Sequence, residues 1–179
     1  MDRQPFVVQV LDSAGFASLV DAAAAVYGAA MARPSAVISS RRDLIRTHLD
    51  RAGFVATAAL RSPTDSLAGF GYGYSGATGQ WWHDVVARGL GAQVAAQWLP
   101  GAFELAELHV APDSQGNGVG RSLIELLLAN VTAPAVVLST PDRLSPARAL
   151  YDSLGFTDLL VDFRFPGSAE PYAVMGLRR

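Results

Sequence analysis

Three closely spaced glycines and an arginine carry the most specific chemistry in the sequence. Gly116, Gly118, Gly120 and Arg121 stand in "PDSQGNGVGRSL", between a strand-like stretch, "AFELAELHV", and a helical one, "GRSLIELLLAN". Val119, just before the second stretch, and Leu123, Leu126 and Leu127 within it recur at helical spacing. Glycine permits positive φ and close backbone approach. A helix start presents unpaired N–H groups at the positive end of a dipole. Together they make a cradle for a phosphate. A glycine-rich turn that binds nothing is the competing reading. Arg121 favours the cradle, because a cation in a first helical turn opposes the dipole unless a polyanion meets it.

Two familiar nucleotide loops are excluded. The chain has no lysine, so the Walker A pattern has no completing residue. The spacing Q-G-N-G-V-G is not the dinucleotide fingerprint. A second cluster, "GYGYSG" (Gly71, Gly73, Gly76), fits that fingerprint literally, but its glycines alternate with Phe70, Tyr72 and Tyr74 inside a strand pattern. No helix follows directly and the expected acid is missing, so it reads as a twisted strand whose glycines admit a bulge or a close neighbour.

Composition narrows the chemistry further. Among 179 residues there is no cysteine, which removes disulfides, thiolate nucleophiles and cysteine metal sites. His48, His83 and His109 lack paired-ligand spacing, so no metal site is expected. The net charge is −2 without any basic stripe, so nucleic acid is not an expected partner. The longest apolar window, "AAAAVYGAAMA", is too short for a bilayer, and "MDRQPFVVQV" lacks a leader pattern. The expectation is a cytoplasmic protein that does not engage a membrane.

The elements that must hold the glycine turn follow from periodicity. Phe6–Leu11 reads as a strand, and "SAGFASLVDAAAAVYGAAM" as one helix. A second helix begins near Ser39 or Ser40, with Leu44, Ile45, His48 and Leu49 as its stripe and Gly53 as its stop. His48 is thereby a helix-face residue. "FVATAALR" and "LAGFGYGYSG" form a hairpin around "SPTD". Residues 78–101 hold a short helix, a glycine break and a second helix. "AVVLST" is a buried strand, and "SPARALYDSLGF" a helix with Ser145 as N-cap, Pro146 in its first turn and Gly155 as C-terminal stop. "TDLLVDFRF" and "YAVMGLRR" close the sheet. The whole reads as one α/β domain over 1–179, with a mixed sheet and helices.

Two blocks then resemble the GNAT acyltransferase superfamily, which moves acyl groups from acyl-CoA to amines. "LHVAPDSQGNGVGRSL" is similar to its Q/R-x-x-G-x-G/A loop through Gln115, Gly118 and Gly120. "ARALYDSLGF" is similar to its A-x-x-L-Y-x-x-x-G-F block, from Ala147 through Leu150 and Tyr151 to Gly155 and Phe156. The resemblance is strong over 102–165; the earlier half agrees in element order. Leu144 stands where the second block often begins with Asn, and 78–101 is longer than the family's usual connection. The implied fold is a single-domain GNAT-like α/β structure: a mixed, mostly antiparallel twisted sheet flanked by helices and splayed at its central strands.

The resemblance implies acetyl-CoA as cosubstrate, with no metal. Its pyrophosphate would sit on the amides of Gly116, Asn117, Gly118, Val119, Gly120 and Arg121, beside Gln115 and Ser122. Its pantetheine would pair with main-chain groups near Leu108 and Val110 on the strand edge. An amide near Leu108 or His109 would polarise the thioester carbonyl. Direct transfer needs a neutral amine and so a base. Glu104 and Glu107 are the carboxylates on that strand, and strict alternation puts them on opposite faces. The choice between them stays open, as does the alternative that either is merely solvated at a strand end. His109 could act through water or serve structurally. Tyr151 matches the tyrosine that protonates the leaving thiolate; packing beside Leu150 and Leu154 is the alternative.

The expected function is acetyl transfer from acetyl-CoA to a primary amine of a small molecule. Alternatives are a peptide or protein N-terminal acetyltransferase and a CoA-binding module without catalysis. The 78–101 segment, with Trp81, Trp82, His83, Asp84 and Trp98, is expected to wall the acceptor pocket or to form a packed subdomain. A homodimer is left open.

Overall fold

The computed structural model describes residues 6–179. Seven strands form one sheet in the order β1-β2-β3-β4-β5-β7-β6. These are β1 (Phe6–Leu11), β2 (Val55–Arg61), β3 (Ser66–Ser75), β4 (Phe103–Val110), β5 (Ala135–Pro141), β6 (Thr157–Phe163) and β7 (Tyr172–Arg178). The helices are α1 (Ser13–Ala17), α2 (Val20–Ala30), α3 (Ser35–His48), α4 (Trp81–Trp98), α5 (Val119–Ala129) and α6 (Pro146–Ser153). The sheet is mixed, as expected. β4 and β5 run parallel, with Phe103 opposite Val136 and Glu104 opposite Val137. β1/β2, β2/β3, β5/β7 and β6/β7 are antiparallel.

Two boundaries differ from the periodicity reading. The expected first helix is two helices: Leu19, with φ −101° and ψ −1°, caps α2 without a side-chain bond. α3 begins at Ser35 behind an extended Pro34, ahead of the Ser39 or Ser40 start, since proline suits a helix entry. The remaining elements fall where expected.

By contacts the chain divides into two compact units, Met1–Tyr74 with Ala106–Thr132, and Ser75–Leu105 with Ala133–Arg179. In the first, Phe16, Ile45, Phe70 and Tyr72 are fully enclosed between α1–α3 and β2–β3. On a second core, Val119 and Leu123 of α5 pack against Ala59 and Ala68.

In the second unit α4 is part of the core. Val85 and Val86 pack with Val137, Val174 and Phe165. The Trp82 indole donates to Ser139 Oγ at 3.0 Å. Trp98 packs on Gly176, where an added Cβ would fall 2.6 Å from its ring, and Arg178 covers it at 4.2 Å. The expected glycine break is Gly91, with φ 74° and ψ 159° inside α4. Trp81 alone of the three indoles is largely exposed.

Candidate active site

The β4–loop–α5 passage is held from below by β2. Arg61 donates to Asp113 Oδ1 at 2.6 Å, to Ser114 Oγ at 2.9 Å and to the Leu67 carbonyl at 2.9 Å. Hydrogen bonds from Ser114 and Arg61 keep the Asp113 carboxyl below its ordinary range. A single 3₁₀ turn, Pro112–Ser114, follows β4. Gln115 Nε2 then reaches back to the Val110 carbonyl at 3.0 Å, and Asn117 Nδ2 to the Gln115 carbonyl at 3.1 Å. The side chains of the loop are thus spent inward.

Gly116 and Gly118 take φ of 75° and 81°, and a Cβ added to either would meet nothing within 4 Å. The space above them is open. Gly118 is the left-handed residue that starts α5, while Gly120 lies within the helix without a positive φ. Val119 is 4% exposed and anchors the first turn in the core. The Ser122 amide already donates to the Gly118 carbonyl at 3.0 Å, leaving its hydroxyl as the contact it can offer. Arg121 pairs with Glu125 at 3.0 Å along the exposed helix face. An open cradle of backbone N–H groups at an eleven-residue helix start suits a pyrophosphate.

β4 carries the polar side chains. Glu104 is 3% exposed and Glu107 6%, which overturns the reading of either as a solvated strand-end residue. Glu107 is engaged at both oxygens: Arg41 Nη1 approaches Oε1 to 2.5 Å and His109 Nε2 approaches Oε2 to 2.5 Å. Burial alone would raise the Glu107 carboxyl. The His109 hydrogen bond and the charges of His109 and Arg41 outweigh it and hold the carboxyl below its usual range.

Arg41 also donates to the Tyr27 hydroxyl at 3.2 Å and lies 4.4 Å over its ring. His109 stands edge-on to Tyr27 at 5.2 Å and tilts against Phe70 at 5.7 Å. Beyond them, His48 Nδ1 is 2.9 Å from the Tyr72 hydroxyl. Arg41 and Tyr27 escape a sequence reading because Arg41 meets Glu107 across 66 residues. One signal was available: Arg41 heads the i, i+4, i+7 stripe completed by Ile45 and His48, the two buried residues of α3.

Leu108, His109 and Val110 adjoin the glycines of β3. A Cβ on Gly69 would lie 2.9 Å from the His109 carbonyl, and one on Gly71 3.0 Å from Leu108 Cδ1. Gly71 of the second glycine cluster therefore serves strand packing.

Tyr151, on α6 in the other unit, is 7% exposed with its ring 5.7 Å from Phe156. Ser145 caps α6, accepting from the Arg148 amide at 3.2 Å, and Leu144 is fully exposed. Beside α4, Gly76, Thr78, His83, Ala87 and Leu99 line an open cleft of about 340 Å³. Among the described residues no helix is long and apolar enough to cross a membrane, and no three His, Asp or Glu side chains gather as a metal group.

The profile described as an acetyltransferase (GNAT) domain matches residues 78–158. The GCN5-like protein acetyltransferase Rv2170 of Mycobacterium tuberculosis is 34% identical over 179 residues, covering 84% of this chain and 87% of that protein. The chain belongs to the GNAT acetyltransferase family. The fold of this acetyltransferase is similar to that of the ribosomal-protein-S18-alanine N-acetyltransferase of Escherichia coli, with a TM-score of 0.67 at 18% identity over 97% of this chain and 94% of that one. It is also similar to yncA of Salmonella typhimurium, solved with its cofactor acetyl-CoA, with a TM-score of 0.65 at 14% identity over 97% and 94% of the two chains.

Proposed function

We propose that this acetyltransferase moves the acetyl group of acetyl-CoA directly onto a primary amine. The observation that carries the reading is the open backbone cradle at Gly116 and Gly118 in the same compact unit as the polar cluster on β4. Acetyl-CoA supplies an activated thioester. The amides of 116–121 would hold its pyrophosphate, and the main chain at Leu108–Val110 its pantetheine. An amide at Leu108 or His109 would polarise the thioester carbonyl. A β4 side chain would receive the amine's proton, with Glu104 and Glu107 as the carboxylate candidates. Tyr151 would return a proton to the departing thiolate.

The sequence reading of the acceptor is a small molecule. The name of the mycobacterial relative, a protein acetyltransferase, supports a second reading in which a protein amine is acetylated. Calorimetry with acetyl-CoA, CoA and NADPH tests the cradle: the two CoA species should bind and NADPH should not. Thiol release is then measured with tyramine, spermidine, a lysine peptide and an alanine-initial peptide. Turnover with the amines alone supports the small-molecule acceptor, and turnover with the peptides alone supports the protein acceptor. Failure of acetyl-CoA to bind would remove both.

A further inference from the structure

We propose that His109 receives the proton of the acceptor amine, with Glu107 and Arg41 positioning its ring and holding a negative charge beside it. This rests on the amine-acetylation reading above and names the proton acceptor of that same site.

Glu107 is poorly suited to take the proton itself. One oxygen is ion-paired with Arg41 and the other is bonded to His109, each at 2.5 Å. A carboxylate stabilised by a cation and a hydrogen bond gives up basicity. It is also the more hidden partner, with 6% of its side chain exposed against 14% for His109. The imidazole is therefore the more exposed end of the pair.

The pair also sets the imidazole's state. A carboxylate at Nε2 favours the neutral tautomer with its proton there, leaving the Nδ1 lone pair as the acceptor. Nδ1 makes no hydrogen bond to any described residue. The Tyr27 and Phe70 rings fix the ring plane from α2 and β3. The titratable and charged groups around the pair are Tyr27 of α2, Arg41 and His48 of α3, and Tyr72 of β3, with Arg51 and Tyr74 one layer out. Arg41 is the cation in contact with Glu107, and its remaining bond goes to Tyr27 rather than to a second acid. It keeps the carboxylate ionised while the ring cycles.

The step balances. The amine nitrogen forms its C–N bond to the acetyl carbon and the C–S bond breaks. The amine proton moves to Nδ1, and the thiolate takes a proton from Tyr151 or water. Glu107 offsets the imidazolium charge until solvent removes that proton. Arg41 and Glu107 act through His109 and are positioning residues.

The test uses the full chain labelled with ¹⁵N-histidine. The ring signals of its three histidines are assigned by substituting each in turn with glutamine. NMR should show His109 as the Nε2–H tautomer, and Glu107→Gln should move its population toward the Nδ1–H tautomer. In turnover with acetyl-CoA and the amine and peptide panel, His109→Gln should lower kcat about 100-fold or more. Acetyl-CoA affinity should change less than threefold. Arg41→Lys should recover more of kcat than Arg41→Gln. An Nδ1–H tautomer in the wild type, an unmoved tautomer population in Glu107→Gln, or an unchanged kcat in His109→Gln overturns the assignment. If bound acetyl-CoA is turned over with no acceptor, the acetylation reading falls and takes this assignment with it.

Discussion

His48 Nδ1 lies 2.9 Å from the Tyr72 hydroxyl, a buried hydrogen bond between a helix and a strand 24 residues apart. Burial lowers the His48 pKa to about 4, aided by Arg51 and Arg41 and opposed by Glu107. The unfolded chain therefore takes up a proton near pH 6.5 that the folded chain refuses until about pH 4. Stability should fall as pH drops through that window, by up to about 3 kcal/mol. Glu107 is shifted in the same direction, in a window that lies below the ordinary carboxylate value. Its depressed carboxyl contributes stability above the unfolded carboxylate value, and that is lost only as pH falls through the lower folded value. Urea unfolding between pH 7 and 5 should show a slope in the wild type and a flatter one in His48→Gln. Equal slopes would sink the account.

The loop glycines should separate by backbone conformation. Gly116 and Gly118 have positive φ and open surroundings, so alanine there costs backbone strain alone, about 1 kcal/mol each. For a chain of this size that lowers Tm by about 2–4 °C. Gly120 lies in the helix without a positive φ, and alanine there should raise stability by up to about 1 kcal/mol. If its amide faces the pyrophosphate, the same Gly120→Ala variant should weaken acetyl-CoA binding. Thermal unfolding and calorimetry on the three variants separate these effects. A Gly118→Ala variant as stable as the wild type would contradict the left-handed start of α5.

Much of the fold was legible because its signals are local. The α5 stripe and the Ser145-Pro146 start of α6 act within one turn, and both elements lie where periodicity put them. The split between α1 and α2 was not legible, since no proline marks Ser18–Leu19 and the apolar stripe runs through it. At the site, Glu107 and His109 could be named from the strand pattern, whereas their ionic partner offered only its place on the Ile45–His48 stripe of α3. Arg41 meets Glu107 across 66 residues, a pairing that no local pattern encodes. The second glycine cluster misleads in the same way: its spacing imitates a nucleotide loop, yet Gly71 answers to Leu108 and the Glu107 carbonyl on the neighbouring strand.

Tyr151→Phe isolates the hydroxyl. The ring packs on Phe156 at 5.7 Å, and phenylalanine keeps that contact. If the hydroxyl protonates the thiolate, kcat should fall about 100-fold while acetyl-CoA affinity and Tm stay near wild type. Unchanged kcat would leave Tyr151 as packing alone. A fall in Tm by several degrees would show instead that the hydroxyl is structural.

Gly69 gives the sharpest steric prediction. An alanine Cβ there would sit 2.9 Å from the His109 carbonyl, 3.1 Å from Leu123 Cδ1 and 3.2 Å from Val110 Cγ2. The nearest atom is backbone, which cannot rotate away, so β4 must move or β3 must withdraw. Overpacking of this kind costs about 1–3 kcal/mol. Gly76 provides the control, because its added Cβ would come no closer than 3.4 Å to the Ala102 carbonyl. Urea unfolding should place Gly69→Ala well below Gly76→Ala in stability. The displaced strand also carries His109, so Gly69→Ala should lower kcat beyond what its residual folded fraction explains. Equal stability in the two variants would mean that β4 yields freely at His109, and the close approach of the two strands would then place no constraint on the residue at 69.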